Sequence, residues 1–183
     1  MIQQTAVPNF EEALKLLMGP PSDDMTLLYD LPEIKAWKFS DPETGNMVIK
    51  YQGSVAIPVE HFGAMLTGPY RLHWHPNYHD YQVIEDDKQG SMLIYWGIKT
   101  PVMVTNRDFV CRRTQIENFE GFDLAFFMNS EETPKKPKRE GYVRAKIFNT
   151  YNFVRRGPNN TSEFFMNTSI DFGGVIPSFI VNS

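Results

Sequence analysis

Apolar positions early in the chain follow a helical period and then switch to alternation. Over residues 8–19, Phe10, Ala13, Leu14, Leu17 and Met18 make one stripe. Asn9 stands at the cap position with Glu12 three residues on, and Gly19-Pro20-Pro21 ends the run. Residues 34–39 and 47–57 alternate and are rich in β-formers, so the turn-like stretch between them predicts a hairpin. Pro58 opens a second helix with Val59, Phe62, Met65 and Leu66 on one side, closed by Gly68-Pro69. Strands then follow at 81–85, 91–99, 108–115, 123–129, 142–154 and 162–171, joined by turns rich in Gly, Pro, Asn and Asp. Short links between consecutive strands predict an antiparallel meander. Gly173-Gly174 breaks the last strand, and Pro177, Ile180 and Val181 begin a final helix that the sequence cuts short. The pattern predicts one α+β domain over residues 1–183, with no repeat and no linker.

One strand does not read as ordinary core. Arg107, Phe109, Cys111 and Arg113 alternate and share a face, which mixes a ring and a thiol with two guanidiniums. Arginine is seldom buried unless an anion meets it. Composition narrows the possible partners. A net charge of −4 and a pI near 5.6 argue against a nucleic-acid binder. The chain has 14 Phe, 8 Tyr and 9 Met, an excess suited to lining an apolar cavity. Cys111 is the single cysteine, which excludes an internal disulfide and fits a reducing compartment. The N-terminus lacks a signal-peptide pattern, and no apolar run reaches the ~20 residues that span a bilayer. A soluble cytoplasmic protein is expected, and the Asn-x-Ser/Thr triplets near Asn159 and Asn167 read as chance.

Three motifs stand in order: Tyr70-Arg71-Leu72-His73-Trp74; then Tyr95-Trp96 through Lys99 and Pro101 to Asn106-Arg107-Asp108-Phe109-Val110 and Arg113; and finally Gly173-Gly174-Val175-Ile176-Pro177-Ser178. In these the chain resembles the START family of StAR-related lipid-transfer domains, and most of all its phosphatidylcholine-binding subgroup. The resemblance covers nearly the whole chain. It implies a helix-grip fold, a curved antiparallel sheet around a C-terminal helix that encloses a tunnel for one lipid. It implies no cofactor, a phospholipid ligand and transient contact with membrane surfaces. Residues Pro101, Val102, Met103 and Val104 fall where the family has its gate.

The same resemblance implies the site. Arg71 matches an arginine that contacts the lipid phosphate, a task suited to a planar guanidinium fork. The aspartate that partners that arginine in the subgroup is His75 here. Trp96, Phe109, Phe148 and Thr168 match aromatic positions that box a choline ammonium, where rings act through cation–π attraction. Arg113 matches a tunnel-facing arginine whose acidic partner in sterol binders is replaced by Ile94. Arg107-Asp108 is expected to fix the gate loop.

Plainer readings stand beside these. Arg71 also reads as a surface arginine beside Trp74, the rings as core, and Arg113 as a partner for Asp108, Glu117 or Asp123. His73, His75 and His79, with His61, have spacing open to a metal, but the loop supplies no thiolate or paired carboxylate. Lys135-Lys136-Pro137-Lys138-Arg139 reads as a solvated hairpin loop, and Cys111 as an inert small hydrophobe. Common hydrolase motifs are missing. The expected function is a non-enzymatic carrier that binds one phospholipid, phosphatidylcholine or a relative, and moves it between membranes. Two alternatives are a lipid-sensing module of a longer protein, and a helix-grip enzyme using His75 and Arg71 for cyclisation or hydration.

Overall fold

Helix α1 (Phe10–Met18) forms where the apolar stripe predicts it. In the computed structural model, which describes residues 8–42, 44–66 and 68–174, its cap is Asn9. The Asn9 Oδ1 accepts from the Glu12 amide at 3.2 Å, and its Nδ2 donates to the Glu12 carboxylate at 2.8 Å. The stripe buries Phe10, Ala13 and Leu17 against Phe122, Ala125, Phe127, Tyr151 and Phe153 on one face of the sheet. Each large apolar side chain so buried contributes about 1.5–3 kcal/mol.

The predicted hairpin is β2 (Ile34–Ser40) with β3 (Met47–Val55). An unforeseen edge strand, β1 (Thr26–Asp30), pairs with β2. Its residues are all exposed, so no alternation marks it in the sequence. Helix α2 (Val59–Leu66) follows as expected and comes close to the sheet at Gly63, where an added Cβ would lie 2.3 Å from Leu124 Cδ1. The expected stop at Gly68-Pro69 is corrected: these residues begin another helix, α3 (Gly68–Trp74). Proline is tolerated in a first helical turn because the amide it lacks would have had no partner there.

Strands β4 (Tyr78–Asp86), β5 (Ser91–Ile98), β6 (Asn106–Phe119) and β7 (Phe122–Ser130) form consecutive antiparallel hairpins. The single strand expected over 142–154 is divided into β8 (Tyr142–Arg144), β9 (Lys146–Ile147) and β10 (Thr150–Arg156). β8 runs parallel to the start of β6, beyond the end of the β6–β7 pairing. The chain then makes β11 (Ser162–Thr168) and β12 (Ile170–Asp171), the latter paired with β9.

The main sheet has the order β1-β2-β3-β11-β10-β7-β6-β5-β4. Pairing of β3 with β11 therefore welds the first hairpin to the later meander. The fold is α+β, a large curved antiparallel sheet with helices on its faces. On the face opposite α1, α2 packs Val59, Phe62 and Leu66 with Val154, Phe164 and Leu124. A second cluster on that face gathers Tyr78, Ile94, Trp96, Phe109 and Cys111. The expected final helix with Pro177, Ile180 and Val181 lies outside the described residues.

Candidate functional site

Register builds the site from three neighbouring strands. Pairing of β5 with β6 sets Trp96 opposite Phe109, Ile94 opposite Cys111 and Met92 opposite Arg113. Trp96 stacks on Phe109 with centroids 4.9 Å apart and planes 6° off parallel. From β4, Tyr78 stacks on Trp96 at 6.1 Å and 26°, and Tyr81 stacks on Tyr78 at 6.5 Å. Because β5 lies between β4 and β6, the indole sits between a phenol and a phenyl ring. Gly68 makes room for this row, since a Cβ there would stand 1.7 Å from the Tyr81 ring.

Two guanidiniums reach the same row. Arg113 is 5% exposed, its Nε has no hydrogen-bond partner, and it lies 5.9 Å from the Phe126 ring centroid. Its only described hydrogen-bond contact is a weak one, to the Met92 sulfur at 3.9 Å. From α3, the half-buried Arg71 lies 5.4 Å from the Tyr78 ring and 5.7 Å from the Trp74 ring, and its buried Nε is also unpartnered. Burial lowers the proton affinity of both guanidiniums. The Tyr78 phenol feels both cations, yet burial dominates and raises it well above its ordinary value. His75 Nδ1 is buried without a partner; burial and then the Arg71 charge push its imidazole down, so it is neutral near pH 7. Cys111 is fully buried and its thiol is pushed up to about 12, as an inert hydrophobe requires.

The acids that Arg113 could have paired with are engaged or distant. Asp108 is fully buried and takes a bidentate pair of bonds from Arg144, at 2.8 and 3.0 Å. Asp86, which acts weakly on Arg113, holds Lys88 at 2.6 Å. Arg113 lies instead on a cavity of about 460 Å3 between α2 and strands β6 and β7, with Val59, Gly63, Leu124 and Phe126 around it. The exposed members of that lining are Glu60, Glu117 and Asn118.

The loop between β5 and β6 presents Val102 and Met103 to solvent, 93% and 84% exposed, with Pro101 exposed and Val104 half-buried. Met103 has φ +87°, an uncommon conformation for a residue with a side chain. The base of the loop is tied down. Thr100 donates its hydroxyl to the Val104 carbonyl at 2.5 Å, and its amide to Asn106 Oδ1 at 3.1 Å. Arg107, 2% exposed, donates to the carbonyls of Thr105, Phe172 and Gly173, which binds the loop to the segment after β12.

The structure thus brings Arg71, His75, Trp96, Phe109 and Arg113 to one region. Phe148 is half-buried at the joint between β9 and β10, and Thr168 ends β11; neither shares a ring contact or side-chain hydrogen bond with that group among the described residues. Tyr78 and Tyr81 belong to the site and were not foreseen. Their spacing of three does not fit an alternating strand, and a bulge in β4 between His79 and Gln82 accounts for it. The basic loop is packed against the β4 edge: Lys135 meets Glu85 at 2.8 Å, Arg139 meets Asp80 at 2.5 Å, and Lys136 lies 3.9 Å from the Tyr95 ring. Among the described residues no three His, Cys, Asp or Glu converge as metal ligands. None of the described helices is long and apolar enough to cross a membrane.

Known proteins place this geometry. The phosphatidylcholine transfer proteins of Bos taurus and Homo sapiens are each 26% identical over 179 residues, covering 94% of this chain and 83% of theirs. Among solved structures, human STARD10 superposes with a TM-score of 0.83 at 20% identity, covering 98% of this chain and 74% of that one. Human StAR-related lipid transfer protein 5 gives 0.80 at 16% identity, covering 94% and 83%. The START domain profile matches residues 38–183, so the chain belongs to the START domain family of lipid-transfer proteins.

Proposed function

We propose that this chain, as a single domain over residues 1–183, is a carrier that binds one phospholipid in the cavity and moves it between membranes in the cytoplasm. The lipid phosphate lies toward Arg71 and Arg113, and the acyl chains run along the apolar face under α2. Phosphatidylcholine, the lipid in the curated relatives' names, is the phospholipid against which this chain's cargo is to be compared. The observation that carries this reading is the pair of buried, unpartnered Nε atoms of Arg71 and Arg113. A phosphate supplies the acceptors they lack, in the bidentate geometry that arginine favours. Acyl chains supply affinity, because each buried methylene contributes about 0.8 kcal/mol. The rings beside Arg71, Tyr78 and Trp74, suit holding a ligand rather than reacting with it.

Val102 and Met103 form the tip that meets the bilayer and gates entry. Protein purified from cells should carry a phospholipid, read directly by native mass spectrometry. Changing Val102 and Met103 to Asp should slow transfer between vesicles while leaving lipid bound. A reproducibly empty cavity sinks the carrier reading, and unchanged transfer by the double variant sinks the gate.

A further inference from the structure

Arg71 and Arg113 place two positive charges near Tyr78, and among the described carboxylates only Asp86 acts on either, weakly on Arg113. Asp108 is committed to Arg144, and Asp86 to Lys88. The acids on the cavity lining are Glu60, which pairs with Arg156; Asp123, which accepts from the Arg156 amide; and the exposed Glu117. His75, beside Arg71, adds no charge near pH 7 and offers no anionic oxygen. An unpaired buried charge is costly until an anion meets it.

A phosphocholine head group brings one phosphate and one fixed ammonium, and therefore no net charge to offset two guanidiniums. Its ammonium also needs a ring face. Trp96 is already stacked with Tyr78 and Phe109, and the neighbouring Tyr78 and Phe126 rings already have guanidiniums beside them, Arg71 at 5.4 Å and Arg113 at 5.9 Å. The ammonium would then stand within reach of guanidiniums in a low-dielectric pocket, where like charges repel strongly.

We propose that the pocket selects phospholipids of net negative head group, carrying a phosphate and no fixed ammonium, over phosphatidylcholine. This rests on the phospholipid-carrier reading above. The two forks hold a phosphate monoester or a phosphodiester from two sides, one from α3 and one from β6.

The test loads lipid-free full-length protein from vesicles with equal parts of phosphatidylcholine, phosphatidylethanolamine, phosphatidylglycerol and phosphatidic acid of one acyl composition. The protein is re-isolated and its bound lipid identified by native mass spectrometry. Because every lipid is offered on the same surface, surface attraction cancels in the bound ratio. The anionic lipids together should exceed phosphatidylcholine by about tenfold or more. His75→Asp, which sets a carboxylate beside Arg71, should cut that ratio several-fold, and Arg113→Gln should do the same. Should Arg113→Gln fail to fold, His75→Asp, at a half-buried position, carries the comparison alone. Phosphatidylcholine bound at or above the anionic lipids overturns the inference and leaves the carrier standing. No phospholipid bound from any vesicle overturns both, as does a protein that retains only inorganic phosphate when that ion is added alone.

Discussion

Lys50 and Arg113 are both buried cations reached from the same sheet, and their surroundings differ in one respect. Lys50 is fully buried on β3, and its Nζ donates to the carbonyls of Leu16 at 3.0 Å and Gly19 at 2.7 Å. Those carbonyls end α1, where unpaired acceptors and the helix dipole favour a positive charge. Arg113 is nearly as buried, but its Nε meets nothing and the one acid that acts on it, Asp86, does so weakly while holding Lys88. The same contrast separates Arg107, which donates to three backbone carbonyls, from Arg71, whose Nε is free. A buried cation whose donors are filled by backbone is a structural clamp. One whose Nε is left empty has no such structural task, and it is on this difference that the proposed anion-binding role of Arg113 and Arg71 rests.

The sharpest way to break this division begins with a filled pair. Asp108→Ala strips the partner from Arg144, whose side chain is 11% exposed, and should lower stability by about 3–5 kcal/mol in urea unfolding. A loss below about 1 kcal/mol would mean the pair is not what holds β8 to β6. Lys50→Met should cost about 2 kcal/mol, because the α1 carbonyls lose charge-assisted bonds. Arg113→Met should behave oppositely. Lipid-free protein should keep its stability or gain about 1 kcal/mol, while co-purified phospholipid falls away. A destabilisation like that of Lys50→Met would move Arg113 into the structural class.

The smallest effect concerns His75. Its folded-state imidazole is depressed by burial and by Arg71, so the unfolded chain takes up the proton first as pH falls below about 6.5. That contribution to stability is present above pH 6.5 and is lost as pH falls through the lowered folded value. His75→Asn should therefore flatten the decline in unfolding midpoint between pH 7 and pH 5. Parallel curves for the two proteins would show that burial of the ring is not felt.

Much of this was legible from spacing. Helix α1, the β2–β3 hairpin and β4 to β7 follow directly from period and turn chemistry, and the alternation of Arg107, Phe109, Cys111 and Arg113 located the inner face. Helix α3 was hidden because Gly68-Pro69 is compatible with both a stop and a start. β1 was hidden because an exposed edge strand has no buried face to pattern. Within the site, the Trp96–Phe109 stack depends on register, which a single strand does not encode. That Arg113 cannot reach Asp108 follows from alternation, which sets the two on opposite faces of β6; that Asp108 is held by Arg144 instead is a long-range contact with no local signal.

The pairing of β3 with β11 has a consequence for biosynthesis. Tyr51 finds its neighbour only when Met166 is made, most of the chain later. Chains leave the ribosome at about 5–20 residues per second, so β3 waits several seconds with one edge open. In that interval its free edge is a template for any passing strand.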